Sequence, residues 1–436
     1  MNEKSSRLSG YYKKSWQERL STLIEWTDLS SSASDTLSGV AGLSVEDAAN
    51  MIENAIGIFS LPLGIATNFR INDRDYLIPM VIEEPSVVAA VSNAARLFRE
   101  GGGFITSSDD PVMIGQIQVL DIENLDTAEQ QVLANKQMLL AKADEVGGSI
   151  LKYGGGSRDI EVFQYPNTSV GNMLIVHLLI DTRDAMGANI INTAVEHIAP
   201  DIEALTSGRV NLRILSNLTD RRKAHAEGMI PASELARGEM TGEEVVQAIV
   251  EAAVFAEVDP YRAATHNKGI MNGIDAVILA TGNDWRAVEA GAHAYAARDG
   301  RYTSMTKWWQ DEDGNLRGRI DVPLAVGIVG GATRVHPVAQ LALRILDISS
   351  AQQLSEIVAA VGLAQNLAAI RALATDGIQA GHMRMHARQL AVAAGAASQD
   401  VGRIAQQMIA NQRIRLEYAK ELVQKLNSDG TISHDS

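Results

Sequence analysis

The sequence predicts an α+β protein in which a helix-rich region is interrupted by a compact βαββαβ unit. Three observations carry that expectation. An unbroken order of strand, helix, strand, strand, helix, strand can be read from Gly115 to Leu215. Apolar residues recur with helical spacing on both sides of it. The composition is that of an ordinary globular chain: 436 residues, 46% hydrophobic and 21% charged, a length that suits two or three domains.

Within the unit, Gly115 to Ile122 alternates as a strand, and Asp126 to Glu145 reads as one long helix opened by the capping-box pattern Asp126-Thr127-Ala128-Glu129. Arg158 to Tyr165 and Met173 to Asp181 are strands separated by the turn residues Pro166, Asn167 and Gly171. A helix from Ala188 to Leu205 and a strand from Val210 to Leu215 complete the split-βαβ, ferredoxin-like order. Before the unit, Pro85 occupies the first position of a helix with an apolar face of Val87, Val88, Val91 and Phe98. After it, Ser350 to Leu373 is a helix capped by Ser350 and Gln353, with Leu354, Ile357, Val358 and Val361 on one face. Glycine and small residues at Val326–Thr333 and Gly377–Gly381 mark loops. A last helix spans Val401 to Leu426, and Ser428 to Ser436 reads as a frayed tail.

Charge and composition exclude several functions. The net charge of −15 and the absence of a basic patch argue against nucleic acid as a partner. The longest basic run, Arg221-Arg222-Lys223, reads as a solvated helix face. With no cysteine there is no disulfide, thiolate nucleophile or Cys-ligand zinc site. Met1 to Gly10 lacks a secretory h-region, and no window has the ~18 uninterrupted apolar residues of a membrane span. A soluble, cytoplasmic protein is expected.

Several residues can carry chemistry. Asp184-Ala185-Met186-Gly187-Ala188-Asn189 joins a strand to a helix, where free N–H groups suit a phosphate but where a plain turn is the commoner meaning of such a junction. No GxGxxG follows a strand, so a Rossmann domain is unsupported. Tyr261 to Asp275 is too polar for core; its Lys268, between glycine-bearing turns, is either a solvated loop residue or an oxyanion stabiliser. Asp284 follows an apolar strand, Ala276 to Ala280, as a turn former, a helix cap or a functional carboxylate. Glu83 and Glu84 stand at a helix start, where Glu84 could simply cap. His382 and His386 have metal-ligand spacing but neither an HExxH pattern nor a third ligand, so a proton donor suits His382 better than a metal site.

Together these segments resemble 3-hydroxy-3-methylglutaryl-CoA reductase, in its soluble class II form. The matching stretches are Glu53-Asn54-Ala55-Ile56-Gly57, Glu83-Glu84-Pro85-Ser86, Asp184 to Asn189, Tyr261 to Asp275, Thr281 to Ala294, Gly327 to Thr333 and Gly377 to His382. The resemblance implies a large mainly helical domain (1–108 and 219–375), a ferredoxin-like NAD(P)-binding domain (109–218) and a mobile C-terminal helical flap (376–436). It implies Glu84, Lys268, Asp284 and His382 as the catalytic set. Ser86, Arg262, Asn272, Asn217, Gln365, Glu53 and Asn54 are implied as substrate contacts, and Asp184, Ala185, Met186, Gly187, Ala188 and Asn189 as cofactor contacts. The implied reaction is reduction of hydroxymethylglutaryl-CoA to mevalonate and CoA with two NAD(P)H, or its reverse. Biosynthetic and degradative members share this chemistry. The implied assembly is a homodimer with a shared active site, or a hexamer of three dimers. A reductase of a related carboxylate-bearing acyl-CoA, or a silent CoA-ester-binding homologue, are the alternatives.

The chain departs from the pattern at the cofactor. NADH-preferring members carry an Asp a few residues before Gly154-Gly155-Gly156, and ungapped alignment places Gly147 there. Loss of the carboxylate that would repel a 2′-phosphate points to NADPH, with Ser149 and Lys142 or Lys152 as phosphate contacts. NADH remains open through Asp144 or Glu145. No metal is expected.

Overall fold

A computed structural model describes residues 4–27, 29, 32–375, 378–397 and 399–429, the side chains of 378–385 and 427–429 excepted. Its strands are β1 (Leu63–Ile71), β2 (Arg74–Val81), β3 (Phe104–Ser108), β4 (Val112–Leu120), β5 (Gly156–Thr168), β6 (Gly171–Asp181), β7 (Arg209–Leu215), β8 (Lys223–Ile230), β9 (Thr306–Gln310) and β10 (Leu316–Pro323).

Four of them form the small sheet, in the order β5-β6-β4-β7, with every neighbour antiparallel. Relabelled within the unit this is 2-3-1-4, the ferredoxin-like arrangement expected from the sequence. Alternation puts Met113, Ile117 and Val119 of β4, and Leu174, Val176 and Leu178 of β6, on one buried face. Ile191, Val195 and Ile198 of the helix Ala188–Thr206 close over them. The long helix expected after β4 is two helices, Leu125–Ala134 and Lys136–Glu145. Asn135 breaks it by folding its amide back onto the Gln131 carbonyl at 2.8 Å. The cap is Asn124, two residues before the expected box, accepting from Thr127 N at 2.9 Å.

The larger region is less purely helical than expected, because it contains a six-stranded sheet ordered β2-β1-β3-β8-β10-β9. Its strands are rich in Arg, Asn and Thr, which masked their alternation. The helices Val87–Glu100, Pro260–Ala280 and Ala351–Ala374 pack against it in one core around Phe69, Phe98, Phe104, Ile274 and Leu363. The Ala351–Ala374 helix is long and apolar enough to cross a membrane, but most of its surface is buried in this core. Ser350 caps it as expected by accepting from Gln353 N, while the Gln353 side chain serves Ser349 N instead.

Three further expectations are corrected. The Val87–Glu100 helix starts two residues after Pro85, with Ser86 in the left-handed region at φ 76°. Tyr261–Asp275 and Ala276–Ala280 are one continuous helix, not a polar loop and a strand. Asp259 caps it by accepting from Arg262 N at 2.7 Å, and Pro260 takes the first helical position. Among the described residues the C-terminal region holds three helices, Ile378–Ala393, Val401–Ala410 and Leu416–Asp429, so Gly381 lies in a helix and the expected last helix is divided. These three share a small core of Ala387, Ala391, Ile404, Met408 and Leu422. Residues 430–436 lie outside the described residues.

Candidate active site

Lys268 and Asn272 are four apart on the Pro260–Ala280 helix and therefore share a face. That face meets the segment between β2 and the Val87–Glu100 helix. Lys268 Nζ donates to Glu84 Oε2 at 2.6 Å, and Asn272 Nδ2 donates to the same oxygen at 3.3 Å. The lysine side chain is 61% exposed and the glutamate 33%, so the trio opens onto solvent with its charges paired but reachable. Ser86, two residues from Glu84, is also exposed.

Behind the trio the helix is fixed by buried polar contacts. Asn267 donates to the Thr303 carbonyl at 2.9 Å and accepts from Met305 N at 3.0 Å. His266 Nε2 meets Thr306 Oγ1 at 2.8 Å and Asn366 Nδ2 at 3.0 Å, while Trp308 Nε1 donates to Asn366 Oδ1 at 2.7 Å. Burial, with help from Arg262, drives the imidazole down to about 3, so His266 is a neutral brace. This explains how a segment so polar can be a core helix. Arg262 is half-buried and pulled below its ordinary value by desolvation. Gln365 packs on Gly273, where a Cβ would come within 2.8 Å of the Gln365 Cβ, and its buried Oε1 has no partner. Further along, Asp275 is pushed up to about 8 by burial and by Glu289, which His293 holds below the carboxylate range at 2.8 Å.

The remaining residues gather elsewhere. Asp284 caps the helix Trp285–Ala296, accepting from Arg286 N and Ala287 N at 3.1 and 3.2 Å. Among the described residues no contact joins it to Lys268. Ten residues of helix, roughly 15 Å of rise, separate Lys268 from Ile278, whose carbonyl anchors Asn283 N at 3.0 Å. Asn217 lies against the same helix as Asp284, its carbonyl where a Cβ on Gly291 would fall.

The turn Asp184–Asn189 is tightly held. Asp184 Oδ1 accepts from Ala351 N at 2.8 Å, Ile328 N donates to the Asp184 carbonyl at 2.9 Å, and Ala185 bridges to Val329. Gly187 (φ 98°) precedes the helix starting at Ala188, and a Cβ there would strike Thr182. Met186 lies so close to Gly327 that a Cβ on the glycine would come 2.6 Å from its nitrogen.

Beneath this turn is a residue misread from the sequence. Arg222 is not on a solvated helix face but 5% exposed in the bend immediately before β8. It donates to Thr182 Oγ1 (2.9 Å), the Ala185 carbonyl (3.1 Å) and the Val326 carbonyl (2.5 Å), with Asp181 and Asp184 as counter-charges. Burial lowers its guanidinium to about 10.

Gly147 precedes the 3-10 turn Gly148–Tyr153, which carries Ser149 on the surface. Lys142 is committed to Asp201 (2.8 Å), Asp144 accepts from Ser157 N (2.7 Å), and Glu145 faces His197 (3.2 Å). Glu53 and Asn54 occupy an exposed turn, with Asn54 in the left-handed region at φ 56°. His382 lies on the Ile378–Ala393 helix, and its side chain is outside the described residues.

Residues 15–387 match the family model described as hydroxymethylglutaryl-coenzyme A reductase. The chain belongs to that family. A 3-hydroxy-3-methylglutaryl-coenzyme A reductase of Archaeoglobus fulgidus is 51% identical over 97% of this chain and 95% of its own. A probable hydroxymethylglutaryl-CoA reductase of Borreliella burgdorferi is 34% identical over 78% and 77%. Among solved structures, a Streptococcus pneumoniae hydroxymethylglutaryl-CoA reductase superposes with a TM-score of 0.82 at 40% identity, covering 96% of this chain and 99% of that one. A class II Streptococcus pneumoniae enzyme described as bound to NADPH in open conformations gives 0.80 at 40% identity, covering 95% and 100%.

Proposed function

We propose that the chain reduces 3-hydroxy-3-methylglutaryl-CoA to mevalonate and CoA, and that the Glu84–Lys268–Asn272 trio is where the carbonyl is polarised. The single observation that carries the reading is the convergence of an ammonium and an amide on one carboxylate at an open face. Lys268 stabilises the oxyanion that develops when hydride reaches a thioester or aldehyde carbon. The nicotinamide, when bound, supplies that hydride. Glu84 hands a proton to the new oxygen, and His382 protonates the departing thiolate. Two hydrides and two protons convert the thioester, through a hemithioacetal and an aldehyde, into an alcohol and a free thiol. Ser86, Arg262, Asn272 and Gln365 serve the carboxylate and hydroxyl end of the substrate; the unpartnered Gln365 Oε1 suits a hydroxyl donor.

The division of the site supports a homodimer. Fourteen residues of helix, roughly 21 Å, lie between Ala351, which holds the Asp184 turn, and Gln365 beside Asn272. One chain's cofactor turn therefore does not serve its own trio, and Asp284 of the partner subunit is the carboxylate that orients Lys268. Ile56, Phe59 and Tyr261, exposed at 100%, 89% and 86%, supply apolar surface for that contact. Three dimers in a hexamer, domain boundaries at 108, 218 and 375, a flap carrying His382 and a cytoplasmic location complete the reading.

The residues fit a dinucleotide, since buried Ser157 Oγ and Arg183 Nε have no partner beside the glycine triplet. NADPH is favoured over NADH because position 147 has no carboxylate and one oxygen of Asp144 is committed to Ser157 N. The test is to follow nicotinamide oxidation with purified protein, hydroxymethylglutaryl-CoA and each cofactor while titrating released thiol. Two nicotinamides oxidised per thiol are expected; no oxidation with either cofactor would sink the reading.

A further inference from the structure

Lys268, Asn272 and Asp275 are spaced i, i+4, i+7 and form one stripe of the Pro260–Ala280 helix, so the face that meets Glu84 continues two turns on to a carboxyl. There it meets the Trp285–Ala296 helix, whose Glu289 lies in hydrogen-bond contact with Asp275. His293, one turn after Glu289, places Nε2 2.8 Å from Glu289 Oε2 and Nδ1 2.7 Å from the Tyr302 hydroxyl, with the two ring centroids 5.8 Å apart. Tyr302 in turn bonds the side chain of Asn267, the neighbour of Lys268. The contacts close a ring. It leaves the Lys268 helix at Asn267, crosses through Tyr302 and His293 to the helix that Asp284 caps, and returns at Asp275, eight residues and roughly 12 Å further along.

Two carboxyl groups cannot bond each other while both are ionised, because each then only accepts. Among the described residues no donor reaches the buried Asp275 Oδ1, so an ionised Asp275 would be stranded beside a second negative charge. Glu289 already has a donor in His293, which holds it below the carboxylate range, whereas burial and Glu289 push Asp275 up to about 8. The proton therefore belongs on Asp275, whose hydroxyl donates to Glu289. His293 and, beyond it, Tyr302 are the other titratable groups that face the pair, and both sit on the Glu289 side.

We propose that Asp275 and Glu289 are positioning residues that share one proton, and that this bridge fixes the Lys268 helix against the Asp284 helix in the register that catalysis uses. The inference rests on the catalytic reading above. Lys268 lies seven residues before Asp275 and Asp284 five before Glu289, so the bridge stands within two turns of both functional groups. In the dimer those two groups serve different sites, so the bridge ties one chain's lysine to the carboxylate it lends its partner. Loss of the shared proton sets two like charges in a half-buried contact and drives the helices apart. A displacement of about 1 Å at a reacting group costs about a hundredfold in rate.

The test has two arms, both on the full-length protein well below its melting temperature. Infrared difference spectra follow the carbonyl stretch of a protonated carboxyl from about pH 6 to about pH 10. The native protein should lose one such band as pH rises through about 8, and Asp275→Asn should lack it. Single-turnover reduction of hydroxymethylglutaryl-CoA is then measured over the same range, each protein relative to its own rate at neutral pH. The native rate should fall about tenfold per pH unit above about 8. Asp275→Asn, whose amide donates to Glu289 without a titrating proton, should hold its rate for about one unit more. A native protein without the band change, or an alkaline fall identical in the variant, overturns the proposal. A native protein that shows the band change yet oxidises no nicotinamide overturns the catalytic reading, and the positioning role with it, but not the shared proton.

Discussion

Removing the Arg222 side chain tests the claim that this buried cation organises the cofactor turn. Arg222→Ala deletes three hydrogen bonds and leaves the Val326 carbonyl without that donor in a closed space, while the Ala185 carbonyl keeps only Thr182 Oγ1 at 3.0 Å. Each buried acceptor so stranded costs about 1–3 kcal/mol, and Asp181 and Asp184 lose a nearby counter-charge. Against this stands the recovered desolvation of the guanidinium. Its fall to about 10 corresponds to about 3 kcal/mol. Removing one partner of a buried charge pair costs about 3–5 kcal/mol in general, and the recovered desolvation places this case near the lower end, about 3 kcal/mol. Urea unfolding at neutral pH measures it, with Arg221→Ala as control. That neighbour is half-exposed and paired with Glu161 at 2.9 Å, so its loss is expected to cost about 0.5 kcal/mol or less. Because Arg222 holds the turn and not the trio, cofactor KM should rise at least tenfold while KM for hydroxymethylglutaryl-CoA stays near native. Equal stability of the two variants, or an unchanged cofactor KM, would refute the reasoning.

Three more outcomes follow. His382→Gln should impair thioester reduction while sparing free mevaldehyde, since only the thiolate needs its proton; equal loss on both substrates contradicts that role. Asp275, pushed up to about 8, favours the folded state while protonated, an advantage complete below a free carboxyl's pKa and lost as pH rises through about 8. The native protein should therefore lose about 2–4 kcal/mol relative to Asp275→Asn between pH 5 and 8, and parallel stability curves would refute the assignment. Ile56→Asp with Phe59→Asp should dissociate the dimer and abolish activity; sedimentation showing an active monomer contradicts the shared site.

The legibility of this fold tracked the purity of its hydrophobic patterns. The small sheet was readable because β4 and β6 bury one clean face, as Met113, Ile117, Leu174 and Val176 show. The large sheet was not, because β1 and β2 intersperse Arg70, Arg74 and Asn68 with core residues. The sequence does not reveal the Lys268 helix because its buried polar residues are of solvent-facing types, and the partners of His266 Nε2 and Asn267 are distant in the chain: Thr303, Met305, Thr306 and Asn366. Arg222 failed for the same reason, since a basic triplet carries no sign that its middle member turns inward. Glu84, Lys268 and Asn272 were named through family resemblance, and no local periodicity would have joined residues 184 positions apart.

The central claim, that one ammonium polarises both carbonyls in turn, is tested most directly by single-turnover reduction of hydroxymethylglutaryl-CoA and of free mevaldehyde by Lys268→Ala. Loss of a preorganised charge at a developing oxyanion costs about 10²–10³ in rate. The account predicts a loss of at least that size on both substrates, with the variant still binding hydroxymethylglutaryl-CoA and melting like the native protein. Near-native reduction of either substrate would contradict it.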